Sequence, residues 1–380
     1  MQDQQYDAYK GLSVLLIILF IFISCSRAPE PTSVGSLSSP EQTSEAVSST
    51  VNIVIERTIL DISKGAISPD ETYLACIFQQ HPRILKLADL SVIYDSPTIF
   101  PIEKMYYGNI YWSGDGNAVI FSYYSLKERK GNTIIWNRNT RQDLTYPGMV
   151  RSNWADNGLK VIGYNIDPNS SDYKSICIVN VQNKQINTIP LQSLGFPQYY
   201  KIDNFNWWNG DTIIFTADIY SVPGKYDHTE MRTININTYN SLVLKLLPKS
   251  IDWFVICTTN RNRAFISSLP NNLFDVARLP GESALLNLDD ANLEMKSINK
   301  KIVFHQFFPD GLRILCSLNR LGQGLVYGLY SCNSDTVLSL QDNSGKVIDS
   351  DMYGNVSVNY LLLQNSKNQQ FYLYRVTRNR

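Results

Sequence analysis

From residue 51 onwards, the chain is built of short apolar runs that are broken by Asn, Gly, Asp, Pro and Ser. Many of these runs belong to one repeated sequence motif, called the phrase below. In it, an apolar or aromatic residue leads into a tight turn and then into a stretch rich in Ile, Val, Tyr and Phe. Copies start at Ile67, Tyr111, Asn153, Trp208, Thr259, Phe307 and Asp351, and the copies at Thr259 and Asp351 are degenerate. Recurrence at about 40 to 50 residues is typical of a propeller or a solenoid.

Each repeat carries signals for four short strands and none for a long amphipathic helix. Four antiparallel strands make one blade of a β-propeller. The phrases therefore predict an all-β fold, a single β-propeller with seven four-stranded blades. The predicted blades span residues 61–99, 105–147, 148–193, 200–247, 249–290, 300–341 and 345–378. Residues 290–303 form an insertion without a clear place, so six or eight blades remain open.

The two ends of this region complement each other. After the last phrase, residues 358–363 and 370–376 predict a second and a third strand, and no outer strand follows. Residues 51–60 (VNIVIERTIL) have the pattern of a strand but precede the first blade. Pairing them with the last blade would close the ring and leave no long exposed edge. We therefore expect an N-terminal strand to complete the seventh blade.

The Asp, Pro and Gly residues of the phrase are interpreted as turn residues. Pro pre-sets φ for the second position of a turn, Asp favours the next position, and Gly can adopt positive φ. The repeated acids are Asp70, Asp115, Asp156 and Asp310. Glycoside hydrolysis needs two carboxylates that converge. These acids recur at one position of successive blades, so we expect them to lie far apart.

The N-terminal region predicts export and a lipid anchor. Residues 11–24 form an apolar stretch of 14 residues after Lys10. A spanning helix needs about 20 residues, whereas this length matches the apolar region of a secretory signal. The stretch ends in Phe22-Ile23-Ser24-Cys25, which resembles the lipobox of bacterial lipoproteins. The resemblance implies a lipid on Cys25. An uncleaved short anchor and ordinary signal cleavage are the alternatives.

Residues 25–50 are rich in Ser, Pro, Thr and Glu. Such a segment cannot bury enough surface to offset its chain entropy. It predicts a flexible tether between a signal peptide at residues 1–24 and a propeller at residues 51–380. We expect the protein to be exported and attached through its N-terminal lipid to the cell membrane or envelope, because several acyl chains give stable anchoring.

Composition excludes several classes of site. Lys plus Arg and Asp plus Glu both number 34, and no basic stretch provides the electrostatic footprint of a nucleic-acid partner. Three His are too few for a His-rich metal site, and we expect neither a metal nor a cofactor. The five Cys after Cys25 show no CxxC spacing, so we expect buried apolar residues. Hairpin pairing sets Cys316 opposite a residue near Gly328, not Cys332.

The phrases resemble the WD40-like PD40 repeats of TolB-type β-propellers. Ser68-Pro69-Asp70 and Phe308-Pro309-Asp310-Gly311 carry the resemblance best, and it covers residues 50 to 380. It implies the fold and little about activity, because propellers host many unrelated functions. Propellers of prolyl oligopeptidase-type hydrolases share the repeat, but this sequence has no GxSxG nucleophile motif.

Residues that lead into the first strand of each blade are the candidates for a binding rim around the central funnel. They are Lys64, Tyr107, Arg151, Asp203, Asp252, His305 and Asp349. We place His81 and His228 in loops, and only His305 near the central mouth. The sequence thus favours a non-catalytic, lipid-anchored propeller that binds an envelope protein or glycan. The alternative is a carbohydrate-active hydrolase or lyase with its site in the funnel, which requires converging carboxylates or a His/carboxylate cluster.

Overall fold

The computed structural model describes residues 54–377, and the predicted signal peptide, Cys25 and the tether lie outside the described residues. The internal segments outside the description are residues 101–104, 126–129, 155–157, 167–172, 203–204, 248–253, 258–262, 268–282, 290–293, 299–301, 309–310, 321–323, 342–345, 350–353, 358, 366–367 and 369. No helix in the described part has the length and hydropathy that a membrane span requires.

Seven antiparallel sheets follow one another along the chain, and each is one blade. Blade one contains β2 (Lys64–Ile67), β3 (Tyr73–Phe78), β4 (His81–Lys86) and β5 (Val92–Asp95), and blade two contains β6 (Met105–Trp112), β7 (Ala118–Ser125), β8 (Lys130–Asn137) and β9 (Gln142–Pro147). Blade three contains β10 (Met149–Trp154), β11 (Lys160–Ile166), β12 (Tyr173–Asn180) and β13 (Ile186–Pro190), and a short 3-10 helix (Leu191–Leu194) follows.

Blade four has an additional strand. It contains β14 (Tyr199–Ile202), β15 (Asn206–Asn209), β16 (Thr212–Val222), β17 (Lys225–Asn235) and β18 (Ser241–Leu247). Blade five contains β19 (Phe254–Cys257), β20 (Arg263–Ser267), β21 (Ser283–Asn287) and β22 (Met295–Ser297), and blade six contains β23 (Ile302–Phe307), β24 (Arg313–Arg320), β25 (Gly324–Ser331) and β26 (Thr336–Ser339). Blade seven contains β27 (Gly354–Val356), β28 (Tyr360–Gln364), β29 (Phe371–Thr377) and β1 (Val54–Leu60).

The strands within each blade pair in the order of a propeller. The first strands of neighbouring blades contact one another, for example β2 with β6 and β2 with β27, so they surround the centre. A separate apolar cluster fills each of the seven gaps between neighbouring blades. The predicted seven-bladed, all-β fold is therefore confirmed.

The ring closes as the sequence predicts. β1 pairs antiparallel with β29, from Val54 opposite Thr377 to Leu60 opposite Phe371. The sheet order β1-β29-β28-β27 makes the N-terminal strand the outer strand of the seventh blade. This pairing covers the edge that β29 would otherwise expose, which removes a template for unwanted strand addition.

One predicted blade boundary is wrong. The fifth blade was expected to end at residue 290, and residues 290–303 were treated as an insertion. Instead β22, at Met295–Ser297, pairs with β21 and is the outer strand of that blade. A strand of three residues (Met-Lys-Ser) has too little alternation to be recognised from its sequence.

The turn phrase acts through its acidic side chain. Oδ1 of Asp70 accepts hydrogen bonds from the Ser68 hydroxyl at 2.6 Å and the Thr72 amide at 3.2 Å. Asp115 repeats the pattern with the Ser113 hydroxyl and the Asn117 amide. These two acids therefore stabilise turns, as expected, and Asp156 and Asp310 lie outside the described residues.

A second repeated turn follows the third strand of blades two, three and four. An Asn side chain ends the strand and accepts backbone N–H groups two or three residues later, at Asn137, Asn180 and Asn235. The fifth residue of each turn has positive φ: Arg141, Lys184 and Tyr239. The sequence predictions did not include this turn, although the Asn at the end of these three third-strand runs is a visible signal.

The cysteines are part of the core. Cys76, Cys177, Cys316 and Cys332 are buried, and Cys316 lies opposite Gly328, as the hairpin count predicts. Burial raises the pKa of the Cys76 and Cys316 thiols to about 12. These thiols are therefore protonated at neutral pH and inert as nucleophiles.

Candidate functional site

Four of the predicted rim residues lie within innermost strands, and Asp349 precedes one of these strands. Lys64 is the first residue of β2 and is half-buried, and burial lowers its pKa to about 8. Arg151 lies at a bulge in β10 with a φ of 50°. Tyr107 belongs to β6, with its side chain outside the description, and Asp203 and Asp252 lie outside it altogether.

His305 packs between blades six and seven. It occupies a bulge in β23, and its Nε2 lies 2.5 Å from the Ser317 hydroxyl. Its ring centroid is 5.3 Å from that of Tyr327, whose hydroxyl donates to the Gln364 carbonyl of blade seven. Asp349 forms an isolated bridge with Val326, the residue before Tyr327. The imidazole that sequence analysis placed near the funnel thus contributes to the contact between two blades.

Side chains of the innermost strands tie the blades to one another. The Trp112 indole N–H donates to the Ala66 carbonyl of blade one at 2.9 Å, and Trp154 donates to the Tyr111 carbonyl of blade two at 2.6 Å. Asn355 of blade seven accepts the Ile67 amide of blade one at 2.9 Å. These bonds fix the relative positions of the strands that line the centre, so the ring offers a rigid surface.

Among the described residues, no group of three His, Cys, Asp or Glu side chains has an arrangement that could hold a metal ion. The acids with the largest downward pKa shifts belong to the turns. Burial opposes the charge on Asp70, but hydrogen bonds from Ser68, Arg138 and Thr72 outweigh it and hold the pKa at about 2. Such a carboxylate is ionised at any physiological pH and suits a structural role better than general acid catalysis.

Blade four has the longest strands in the described structure. β16 and β17 contain 11 residues each, whereas the equivalent strands of blades one and two contain six and eight. β14 pairs with the C-terminal part of β16, from Tyr199 opposite Tyr220 to Ile202 opposite Ala217. The hairpin is about three residues longer than in blade two, or roughly 10 Å. It lies at the same end of the blades as the predicted rim.

A row of charged side chains lies along β17, on the face of the sheet that packs toward blade three. Nε of Arg232 donates to Oε2 of Glu230 at 2.5 Å, and Oε1 of Glu230 lies 3.1 Å from Nε2 of His228. Nδ1 of His228 is 3.0 Å from Oδ2 of Asp227. Arg232 is buried, stacks over the Phe196 ring at 4.5 Å and contacts the Leu194 carbonyl. The charges therefore run from the interior of the blade to its surface.

Two histidines do not lie where the sequence placed them. His228 was expected in a loop, and it belongs to β17 opposite Ile219. His81 is the first residue of β4, and its Nδ1 lies 2.9 Å from the Ser96 carbonyl. His81 follows the second-strand run of blade one, and His228 lies in a polar run, which suggested loops. Both residues instead pair across a hairpin, His81 with Phe78 and His228 with Ile219, and this pairing overrides the local preference.

The outer strand of blade four exposes apolar side chains. Leu242 is 63% exposed, Leu246 is 62% exposed and Val243 is 45% exposed. Tyr239, in the turn before β18, is 43% exposed. The outer strand of blade two presents Gln142, Thr145 and Pro147 instead. Leu242 lies on one face of this strand and Val243 and Leu246 on the other, so both faces of the outer strand are apolar. Large exposed apolar surfaces commonly mark interaction sites.

Comparison with known proteins supports the fold. No family model matches the chain, and no curated protein matches its sequence. The β-propeller domain of Cps50 (Swd1) from Myceliophteria thermophila is 9% identical, with 85% of this chain and 100% of that chain covered and a TM-score of 0.56. Oligogalacturonate lyase from Vibrio parahaemolyticus is 8% identical, with 87% and 99% covered and a TM-score of 0.54.

Kuenenia stuttgartiensis hydrazine synthase is another similar structure, at 8% identity, with 88% of this chain and 99% of that chain covered and a TM-score of 0.52. Hydrazine synthase and oligogalacturonate lyase are different enzymes, and the identities to this chain are too low to transfer either activity. The function must be argued from the side chains of this chain.

Proposed function

We propose that this protein is an exported, lipid-anchored, non-catalytic propeller that binds a protein partner in the cell envelope through blade four. The observation that carries the proposal is the exposure of Leu242, Val243 and Leu246 on β18. An apolar outer strand is a liability for a soluble protein, and native sheets usually place charges or Pro at such an edge. A partner that covers these side chains would account for their exposure in the isolated chain.

A protein fits this surface better than a glycan. Three of the four exposed side chains are aliphatic, whereas sugar rings are usually stacked on aromatic rings. β18 is the last strand of its sheet and pairs with β17 within the described residues, so its outer backbone groups face away from the sheet. Interfaces combine such apolar contacts with hydrogen bonds to exposed backbone groups.

The ties between the innermost strands support a binding role. A rigid surface loses little conformational freedom on association, which reduces the entropic cost of binding. Trp112, Trp154 and Asn355 hold their blades to neighbouring blades by hydrogen bonds of 2.6 to 2.9 Å. These bonds join blades seven and one, one and two, and two and three, so this part of the ring is fixed before a partner binds.

A membrane crosslinking experiment with matched variants tests the proposal. The double variant Leu242→Ser/Leu246→Ser removes two exposed leucines from blade four, and Val92→Ser removes an exposed apolar residue (52%) from the outer strand of blade one. We expect the wild type and Val92→Ser to crosslink to the same protein, and the double variant to lose that product. Identical products from all three proteins would contradict the use of blade four.

The non-catalytic part of the proposal has its own test. Oligogalacturonate lyase is among the similar folds, so the purified protein is incubated with oligogalacturonides and Mn²⁺ and unsaturated products are measured by absorbance. We expect no product above a blank. Turnover would overturn the binding proposal in favour of a carbohydrate-active enzyme.

The anchor is tested separately by metabolic labelling with palmitate. We expect the wild type to be labelled and Cys25→Ala to lose the label, because the lipid is proposed to attach to the Cys25 sulfur. A labelled Cys25→Ala protein would overturn the anchor and leave the binding surface of blade four untouched.

A further inference from the structure

The imidazole of His228 lies between two carboxylates. Its Nδ1 is 3.0 Å from Oδ2 of Asp227, and its Nε2 is 3.1 Å from Oε1 of Glu230. Ionised carboxylates only accept hydrogen bonds, so each contact needs an N–H on the ring. A neutral imidazole has one N–H and one lone pair, whereas the imidazolium has two N–H groups. The geometry satisfies the charged ring at both nitrogens and the neutral ring at one.

The electrostatics of the site agree with this geometry. Partial burial opposes a charge on His228, but its hydrogen bonds with Glu230 and Asp227 outweigh burial and raise its pKa above the usual value. An unperturbed His titrates at about pH 6.5. The proton of His228 is therefore lost above that pH in the folded protein.

Apart from Asp227, Glu230 and Arg232, the charged groups that the described neighbouring strands contribute lie on the other face of the sheet. They are Asp218, which accepts from the Thr229 hydroxyl, Lys201 opposite Asp218, and Lys245. β16 places Ile219 opposite His228 and Ala217 opposite Glu230, β14 places Tyr200 beside Ile219, and β18 places Leu246 opposite Glu230 and Lys245 opposite Met231 on the other face of the sheet. Tyr226 contacts Thr229 on that other face, and Lys225 starts the strand at the tip. Arg232 is the cation on the His228 face of β17, and it is bound to Glu230.

The two carboxylates differ in how firmly they are held. Glu230 is 12% exposed and is fixed by Arg232, which is 9% exposed. Asp227 is 56% exposed, and the register of the hairpin skips it between the pairs Ile219–His228 and Tyr220–Tyr226. When the ring of His228 is neutral and has a single N–H, that N–H stays hydrogen-bonded to Glu230. The other ring nitrogen then presents a lone pair to the Asp227 carboxylate, and the hydrogen bond between His228 and Asp227 is lost.

We propose that protonated His228 holds the end of the blade-four hairpin in place, and that loss of its proton releases Asp227 and loosens residues 220–226. The moving segment contains the Tyr220–Tyr226 ring contact and the turn that follows the exposed Val222. The switch is a property of the hairpin. Its consequence for binding rests on the proposed function, because the hairpin and the exposed β18 belong to one blade.

The direction of the pH effect follows from the raised pKa. A group that binds its proton more tightly in the folded state stabilises that state fully below the unfolded pKa, which is about 6.5 for His. The stabilisation is lost as the pH rises through the folded pKa. The hairpin is therefore ordered in acid and loosened in base.

Hydrogen exchange of the full chain, followed by mass spectrometry at about pH 5 and about pH 8, tests the proposal. After correction for intrinsic exchange rates, we expect several-fold faster exchange of residues 220–226 at the higher pH. His228→Gln cannot be charged and should remove the difference. His81→Gln is the matched control, since His81 bonds a main-chain carbonyl, and it should keep the difference. Equal exchange at both pH values, or an unchanged difference in His228→Gln, would overturn the switch.

A titration of the wild type covers the case in which a variant fails to fold. The chain has three His, so ring-labelled histidine gives few NMR signals to assign. We expect one imidazole to titrate above about pH 6.5 and to shift downward in Glu230→Gln. Three imidazoles that titrate at or below that value would contradict the proposal. Neither measurement uses a partner, so failure of the crosslinking test affects only the proposed function.

Discussion

Blades two and four share the order of a propeller blade, apart from the additional strand β15 of blade four, but their equivalent side chains contact different partners. In blade two, the Trp112 indole bonds to blade one, and the Tyr111 carbonyl accepts the Trp154 indole of blade three. In blade four, the Trp207 indole donates to the Gly210 carbonyl of its own turn at 2.7 Å. One aromatic residue of the phrase thus joins blades in one repeat and closes a turn in another.

The outer strands of these blades differ in the same way. The exposed positions of β9 hold polar residues or Pro, whereas those of β18 hold Leu242, Val243 and Leu246. Blade two has side-chain bonds to both neighbours and an outer surface suited to water. Blade four has a longer hairpin, an internal chain of charges and an apolar edge. The repeat that departs furthest from the common plan is the one that carries a distinct surface.

The largest expected effect is in blade two, at Gly131. A Cβ at this position would lie 2.2 Å from Val150 Cγ1 of blade three and 2.5 Å from the Tyr123 carbonyl. Overpacking of this kind costs about 3 kcal/mol, so Gly131→Ala should lower the free energy of unfolding by that amount in urea titrations. Gly224, at the tip of the blade-four hairpin, has nothing within 4 Å and a φ of +77°. Gly224→Ala should cost about 1 kcal/mol, from backbone conformation alone. Equal losses of unfolding free energy in the two variants would show that Gly131 and Gly224 are packed alike.

A buried hydroxyl gives the next largest effect. Thr133 of blade two donates to the Met149 carbonyl at 2.8 Å, and its Oγ1 lies 2.6 Å from the Ser152 hydroxyl of blade three. Thr133→Val keeps the shape and leaves these buried groups without a partner, at a cost of about 2 kcal/mol in unfolding titrations. Thr238→Val makes the same change in an exposed turn of blade four and should stay within about 0.5 kcal/mol. If Thr133→Val leaves the free energy of unfolding unchanged, these hydrogen bonds contribute little to the stability of the ring.

The fold could be predicted from the sequence because its signals are local. Turn chemistry at Ser68-Pro69-Asp70 and the unpaired strand at residues 51–60 each follow from a few adjacent residues. The site could not be predicted in this way. The positions of His228 and His305 depend on strand length and on a bulge, which set the direction of a side chain without marking it in the sequence. A residue's position at the start of a strand can be predicted, but this position does not say which neighbouring residue the side chain contacts.

Acid should weaken the tie between blades one and two, in contrast to the base-sensitive hairpin of blade four. Arg138 Nη1 lies 2.5 Å from Asp70 Oδ2, and the pKa of Asp70 is held at about 2. A lowered pKa stabilises the fold above the unfolded value of about 3.9, and this stabilisation is lost as the pH falls toward the folded value. Arg138→Met should cost about 0.5 kcal/mol at neutral pH, since the pair is partly exposed. Its stability should also fall less than that of the wild type between about pH 4 and about pH 2. An equal loss of stability in Arg138→Met and the wild type over this pH range would show that Arg138 does not lower the pKa of Asp70.

The smallest expected effect on stability is at the apolar edge of blade four. Leu242 and Leu246 are 63% and 62% exposed, so Leu242→Ser/Leu246→Ser removes little buried surface and should change the free energy of unfolding by under about 0.5 kcal/mol. Leu247 beside them is 4% exposed and packs against blade five, so Leu247→Ser is the buried control and should cost several-fold more. The double variant should also bind less of a hydrophobic fluorescent dye than the wild type. A large loss of stability in the double variant would mean that these leucines support the fold, and blade four would then differ from blade two in shape alone.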